Sequence, residues 1–271
     1  MIKLESIKSE KVWGYENWIA SVHPNCYQQD FLEQCGKDFP LLVKIIQAND
    51  SLSVQVHPND KNAVKLEGEG NCGKTECWYV LDASDDATLV YGLKPECKKS
   101  SKEELSNAIK NNELEKYLNI VHVKKGDFIY IPAGTVHAIG GGLRLLEVQQ
   151  SCDLTYRLYD WGRPREVHIE KGLSVINEDQ MMKITQFSGS FECDYFSLEQ
   201  IDINGGYSCL ISKVNQLSKD WKLFYVLEGK GTVKNSFDQK FELEKENIIA
   251  VKPGEKITFE GHFSLLKISA L

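Results

Sequence analysis

The stretch from Gly126 to Arg157, GDFIYIPAGTVHAIGGGLRLLEVQQSCDLTYR, constrains this chain more than any other. Phe128-Ile129-Tyr130-Ile131 is a short apolar and aromatic run, and Pro132 ends it because proline has no backbone N–H to continue a ladder. Gly140-Gly141-Gly142 marks a turn, after which Leu143 to Gln149 returns with alternating character. Two such runs about a Gly-rich turn carry a β-hairpin signature. His137 stands just before the turn, so a return strand that stays in register brings Glu147 and Arg157 to the cavity that His137 faces. A histidine, a carboxylate and an arginine on one sheet make a reaction site.

The residues before this stretch supply the other candidate donors. Pro40 opens Leu41-Leu42-Val43-Lys44-Ile45-Ile46, a buried strand whose one lysine either snorkels outward or faces a cavity. In SLSVQVHPND, from Ser51 to Asp60, alternation sets Ser53, Gln55 and His57 on one face and Val54 and Val56 on the other. An ordinary solvent face would look similar, but imidazole and amide oxygen are metal donors and sit two positions apart on one wall. Asn59 caps a short helix from Asp60 to Leu66. Glu76 stands at the threshold of the β-rich Cys77-Trp78-Tyr79-Val80-Leu81 run. Ser101-Lys102-Glu103-Glu104 is a capping box, and Leu105, Ile109, Leu114 and Tyr117 give one apolar stripe.

After a mixed connector from Glu166 to Phe187, short strand-like runs separated by turn residues fill the C-terminal part, which favours a sandwich or barrel. This block partly repeats the first: Trp78 to Leu81 matches Phe224 to Leu227, and Gly126 to Gly134 matches Glu246 to Gly254. In that register Glu76 falls on Lys222 and His137 on Ile257, so the second copy carries no ligand set. The expected organisation is a metal-binding domain over 1–185, with a helical insert at about 98–118, and a ligand-free domain over 186–271.

Composition narrows the function classes. A net charge of -7 argues against a nucleic-acid binder, which shows a basic stripe. No apolar run approaches the roughly 20 residues of a membrane span, and Met1 to Glu5 begins no signal peptide, so the expected location is cytoplasmic. The eight cysteines are then expected as reduced thiols with structural or incidental roles, and the Cys72/Cys77 spacing is a poor zinc pattern.

Gln55, His57, Glu76 and His137 come from three strands, and two imidazoles, a carboxylate and an amide oxygen suit a divalent cation, Zn²⁺ first. His23, His122, His168 and His262 lack such companions. The Ser53 to Pro58 spacing, Gly73-Lys74-Thr75-Glu76, Ile131-Pro132-Ala133-Gly134-Thr135-Val136-His137-Ala138 and the Glu147 to Arg157 segment together resemble the type I mannose-6-phosphate isomerases in their short bacterial form. The resemblance implies a mainly β fold of two cupin-like double-stranded β-helix (jelly-roll) domains, one zinc ion, and interconversion of mannose 6-phosphate and fructose 6-phosphate. It implies Gln55, His57, Glu76 and His137 as metal ligands and Arg157 as the active-site arginine. Lys44, Ser53 and Lys74 resemble positions that line the substrate cavity, and Glu147 an acidic residue near the metal. Glu147 or Lys74 would carry the proton in an aldose–ketose exchange, the lysine only if its pKa is depressed, and Lys44, Lys74 and Arg163 are candidates for the phosphate. A non-haem iron oxygenase and a non-catalytic sugar-phosphate module share the donor set and stay as alternatives. The oligomeric state is open.

Overall fold

The computed structural model describes residues 1–177, 183–213 and 218–271, so part of the Glu166 to Phe187 connector lies outside the described residues. The chain is mainly β and divides into two compact units that interleave along the sequence. Met1–Lys8, Asn17–Lys44 and Phe187–Leu271 form a terminal unit, and Ser9–Glu16 with Ile45–Gln186 form a central unit. This differs from consecutive domains at 1–185 and 186–271. The strand Ile2–Leu4 adds to Ile248–Val251, with Leu4 opposite Ile248, a pairing between the two ends that no local pattern announces.

In the terminal unit, Lys222–Asn235, Lys256–Ala270 and Phe196–Leu210 are long antiparallel neighbours in one seven-stranded sheet. Phe224, Val226, Ile249, Phe259 and Leu265 pack its core. Helix Gln29–Cys35 docks through Phe31, which meets Phe39 and Trp221 edge-on at 5.1 and 5.6 Å.

The central unit is built around two sheets. One runs in the order Leu118–His122, Thr88–Leu93, His137–Ile139, Val54–Val56, Tyr156–Tyr159. The other contains Asp127–Ile131, Glu76–Ala83 and Leu143–Gln150 as successive neighbours. Trp78, Val80, Ile129, Ile131 and Leu145 from the second join Leu89, Tyr91 and Ile139 from the first in one apolar cluster, so the two sheets share an interior. Val54, Val56, Val90, Ala138, Tyr156 and Leu158 project from the opposite face of the first sheet into a separate cluster with Leu105, Ile109, Leu114 and Leu173. The period-two reading of Ser53 to His57 thus holds in the structure, and the polar wall faces a protein interior.

The capping box forms as read: Ser101 Oγ accepts from the Glu104 N–H, and Glu104 accepts from the Ser101 N–H, at the start of helix Lys102–Lys110. Helix Asp60–Glu67 likewise starts at Asn59, whose side chain accepts from the Asn62 N–H. The capped insert helix and helix Ile169–Val175 cover the outer face of the first sheet, so the insert backs the wall that carries His137. The internal repeat has a counterpart in register: Phe128 and Ile129 pair with Tyr79 and Trp78, and the matched Ile248 and Ile249 pair with Tyr225 and Phe224.

The hairpin read about Gly140–Gly142 does not form. His137–Ile139 pairs with Val54–Val56 and Thr88–Leu93, whereas Leu143–Gln150 pairs with Glu76–Ala83 in the other sheet. The glycines carry the chain from one sheet to the other. Gly140 donates its N–H to the Thr88 carbonyl, Gly142 donates to the Ala48 carbonyl and has φ +79°. A Cβ on Gly140 would lie 2.3 Å from the Thr88 carbonyl oxygen, backbone that cannot move aside. Gly140→Ala is therefore expected to lower the unfolding free energy by about 1–3 kcal/mol or more, read from a denaturant midpoint at unchanged slope.

Candidate metal centre

His57 directly follows the strand Val54–Val56, His137 opens His137–Ile139, and Glu76 opens Glu76–Ala83. All three side chains are buried, and each offers a ligand atom within 4.8 Å of the others. His57 Nε2 lies 3.7 Å from Glu76 Oε2, and His137 Nε2 lies 3.4 Å from Glu76 Oε1. The far nitrogens fix the tautomers. His57 Nδ1 donates to the Leu154 carbonyl at 2.9 Å, and His137 Nδ1 donates to the Thr135 carbonyl at 2.8 Å. A carbonyl only accepts, so both hydrogens sit on Nδ1 and both Nε2 lone pairs turn inward, the arrangement that a carbonyl hydrogen-bonded to the far nitrogen gives a metal-binding imidazole. Burial pushes the His137 imidazole down to about 4, so it is neutral at neutral pH.

The registers place the remaining candidates. In the first sheet Gln55 is directly opposite His137 on one side and Arg157 on the other, which puts the three side chains in one row on one face. In the second sheet Gln149 is opposite Glu76, and Glu147 is opposite Trp78. The Trp78 indole N–H donates to Glu147 Oε2 at 3.0 Å and its ring meets His137 edge-on at 5.4 Å. Lys74, buried, sets its ammonium 3.2 Å from Glu76 Oε2. Burial works against that charge, but Glu76 and then Glu147 outweigh it and raise the lysine above its ordinary value.

Arg157 is anchored from outside the row. Its Nη1 donates to the Glu166 carbonyl at 2.8 Å, its N–H donates to His168 Nδ1 at 3.1 Å, and its carbonyl accepts from the His168 N–H. Its buried Nε has no hydrogen-bond partner among the described residues. Ser53 is buried just ahead of Gln55. Arg163 is engaged by its own chain: it donates to Asp160 at 2.9 Å and to the Ser51 carbonyl at 2.5 Å, and Asp160 also receives Arg165 at 2.6 Å. Lys44 belongs to the terminal unit, buried, with its ammonium 4.9 Å from the Trp18 ring centre.

Several positioning groups escaped the sequence. In sequence Trp78 belongs to an apolar strand run, and its hold on Glu147 follows from a cross-strand register. The Thr135 and Leu154 carbonyls orient the imidazoles, and backbone groups leave no trace in residue type. His168, expected to lack companions, sets the backbone of Arg157.

The donor set fits a divalent cation such as Zn²⁺: two neutral imidazoles with inward lone pairs and one carboxylate, in a buried cluster. His137 Nε2 is buried with no hydrogen-bond partner among the described residues, the mark of a group placed for something other than protein.

Replacing Glu76 by Gln is expected to abolish stoichiometric metal retention in elemental analysis. It should also lower stability by about 3 kcal/mol in chelator, because it removes a partner of the buried Lys74, and Glu76→Gln with Lys74→Met should recover part of that loss. In the metal-stripped chain, His137 at about 4 against an ordinary 6.5 means that the unfolded state binds more protons between those values. Stability is then expected to fall as pH drops through that window, with a shallower fall in His137→Asn, checked by denaturant midpoints.

A family model of the phosphomannose isomerase type I catalytic domain matches residues 2–90. The chain is 36% identical to the mannose-6-phosphate isomerase of Streptococcus mutans, with 97% of this chain and 96% of that protein covered. It is 40% identical to the mannose-6-phosphate isomerase ManA of Bacillus subtilis over 72% of this chain, and spans 64% of the length of that relative. Among solved structures, the mannose 6-phosphate isomerase from Bacillus subtilis matches with a TM-score of 0.80 at 28% identity, covering 98% of each chain.

Proposed function

Given that this chain belongs to the type I mannose-6-phosphate isomerases, a family of isomerase enzymes, we propose that it interconverts mannose 6-phosphate and fructose 6-phosphate through an enediol, with one zinc ion bound at His57, Glu76, His137 and Gln55. The observation that carries this reading is the convergence of two tautomer-fixed imidazoles and a carboxylate in a wall that also presents an arginine. Substrates of this kind are phosphorylated and held inside cells, which supports a cytoplasmic site of action.

When bound, such an ion polarises the oxygens of the substrate as a Lewis acid. The residues of the chain do the rest. Glu147 moves the proton between C1 and C2, because a buried carboxylate fixed by the Trp78 indole is a positioned base. Lys74 acts as a charge, orienting Glu76 and meeting negative charge on the substrate. Arg157, with its Nε buried and its backbone set by His168, stabilises the oxyanion of the enediolate. Ser53 offers a hydroxyl just ahead of the strand that carries Gln55. Arg163 enters with Asp160 as a fixed unit that shapes the substrate side of the strand Tyr156–Tyr159.

Purified chain is expected to convert mannose 6-phosphate to fructose 6-phosphate, to lose turnover on chelation and to regain it with zinc. Arg157→Ala is expected to keep zinc and fold while kcat falls by about 10²–10³-fold, the usual cost of an oxyanion donor. Turnover that survives metal removal, or an Arg157→Ala enzyme of ordinary kcat, would contradict the assignment.

A further inference from the structure

Two cysteines that this mechanism does not use meet beside the centre. Cys72 lies in the loop ahead of Glu76–Ala83, and Cys152 follows Leu143–Gln150. These strands are antiparallel neighbours, and the pairing runs on past their ends: the Gln150 N–H donates to the Thr75 carbonyl at 3.1 Å, and the Thr75 N–H donates to Gln150 Oε1 at 2.9 Å. The two thiols thus leave the same end of one strand pair. Cys152 Sγ donates to the Cys72 carbonyl at 3.1 Å, and Cys72 Sγ donates to the Ser151 carbonyl at 3.7 Å. No disulfide joins them. Cys72 is half-buried, which gives a small reagent a way in, and Cys152 is buried.

We infer that Cys72 and Cys152 form a redox-active dithiol that hydrogen peroxide converts to an intramolecular disulfide, a modification site placed against the metal centre. The nucleophile is Cys152. The Cys72 thiol, the Leu154 N–H at 3.3 Å and the Lys74 ammonium favour its thiolate against burial, and the thiolate is the reactive form. Its sulfur attacks one peroxide oxygen, the O–O bond breaks, and a sulfenic acid and hydroxide result. The Cys72 sulfur then attacks the sulfenic sulfur, the S–O bond breaks, and the second oxygen leaves as water. Two thiols lose two electrons in total, and one peroxide becomes two waters.

The bridge ties together two segments that the centre relies on. Cys72 is two residues ahead of Lys74, which holds Glu76, and Cys152 is two residues ahead of Leu154, whose carbonyl fixes His57. A covalent bond between the two sulfurs constrains both segments, so the disulfide lowers turnover while it lasts. That consequence rests on the isomerase reading, whereas the chemistry of the pair does not.

The test exposes the zinc-loaded full chain to graded hydrogen peroxide and maps peptides without reduction by mass spectrometry, with turnover read on the same samples. The expected result is a Cys72–Cys152 cross-linked peptide that appears before the other cysteines react and vanishes with dithiothreitol. In Cys72→Ser no bridge should form, and Cys152 should proceed to sulfinic acid. Turnover should fall several-fold in step with the bridged fraction and return on reduction. A map in which these two remain thiols while others oxidise, or a fully bridged sample of undiminished turnover, overturns the inference.

Discussion

Glu76 is fully buried, and taking a carboxylate out of water costs several kcal/mol unless positive charge or hydrogen-bond donors meet it. What surrounds it explains much of the central unit. Lys74 supplies one charge at 3.2 Å, but the two nearest ring nitrogens present lone pairs, because the Thr135 and Leu154 carbonyls hold the ring hydrogens on the far side. Three electron-rich groups turned toward one point ask for a cation. A sheet that presented Glu76 without such a partner would carry a standing electrostatic penalty, which is why the imidazoles, the lysine and the carboxylate read as one unit.

Strand periodicity delivers those groups. Because alternate residues face opposite ways, the strand that aims Gln55 inward must aim Val54 and Val56 outward, and those valines need a cover. Helix Lys102–Lys110 and helix Ile169–Val175 provide it through Leu105, Ile109 and Leu173. The capping box therefore serves the centre at one remove: it starts a helix that backs the wall on which His137, Gln55 and Arg157 stand in one row. The terminal unit keeps the same strand pairing with Lys222 and Ile257 at the ligand positions, so the scaffold persists there without the donors.

Much of this was legible in the sequence where the governing physics is local. The Ser53-Gln55-His57 alternation, the Asn59 cap and the Ser101 capping box each depend on residues within a few positions, and each appears as read. Glu76 and His137 stand out with Gln55 and His57 by donor type and strand placement, the family resemblance implies the same set, and the structure brings Glu76 and His137 together with His57. Features set by distant pairing were not legible. Gly140–Gly142 announces a change of direction but not which sheet receives the strand, and the hairpin reading failed there. Ile2–Leu4 finds its neighbour at Ile248–Val251, near the far end of the chain. The Trp78 hold on Glu147 and the meeting of Cys72 with Cys152 likewise follow from the register of Glu76–Ala83 against Leu143–Gln150, which residue types alone do not fix.

A metal held by His57, Glu76 and His137 is the central requirement of the proposed reaction, and anomalous diffraction at the zinc edge from crystals of the zinc-loaded chain tests it most directly. One strong peak bonded to both Nε2 atoms and a Glu76 oxygen, at about 2.0–2.2 Å from each, is the expected result. An active, zinc-containing crystal whose peak lies elsewhere, with these three side chains still turned on one another, would contradict it.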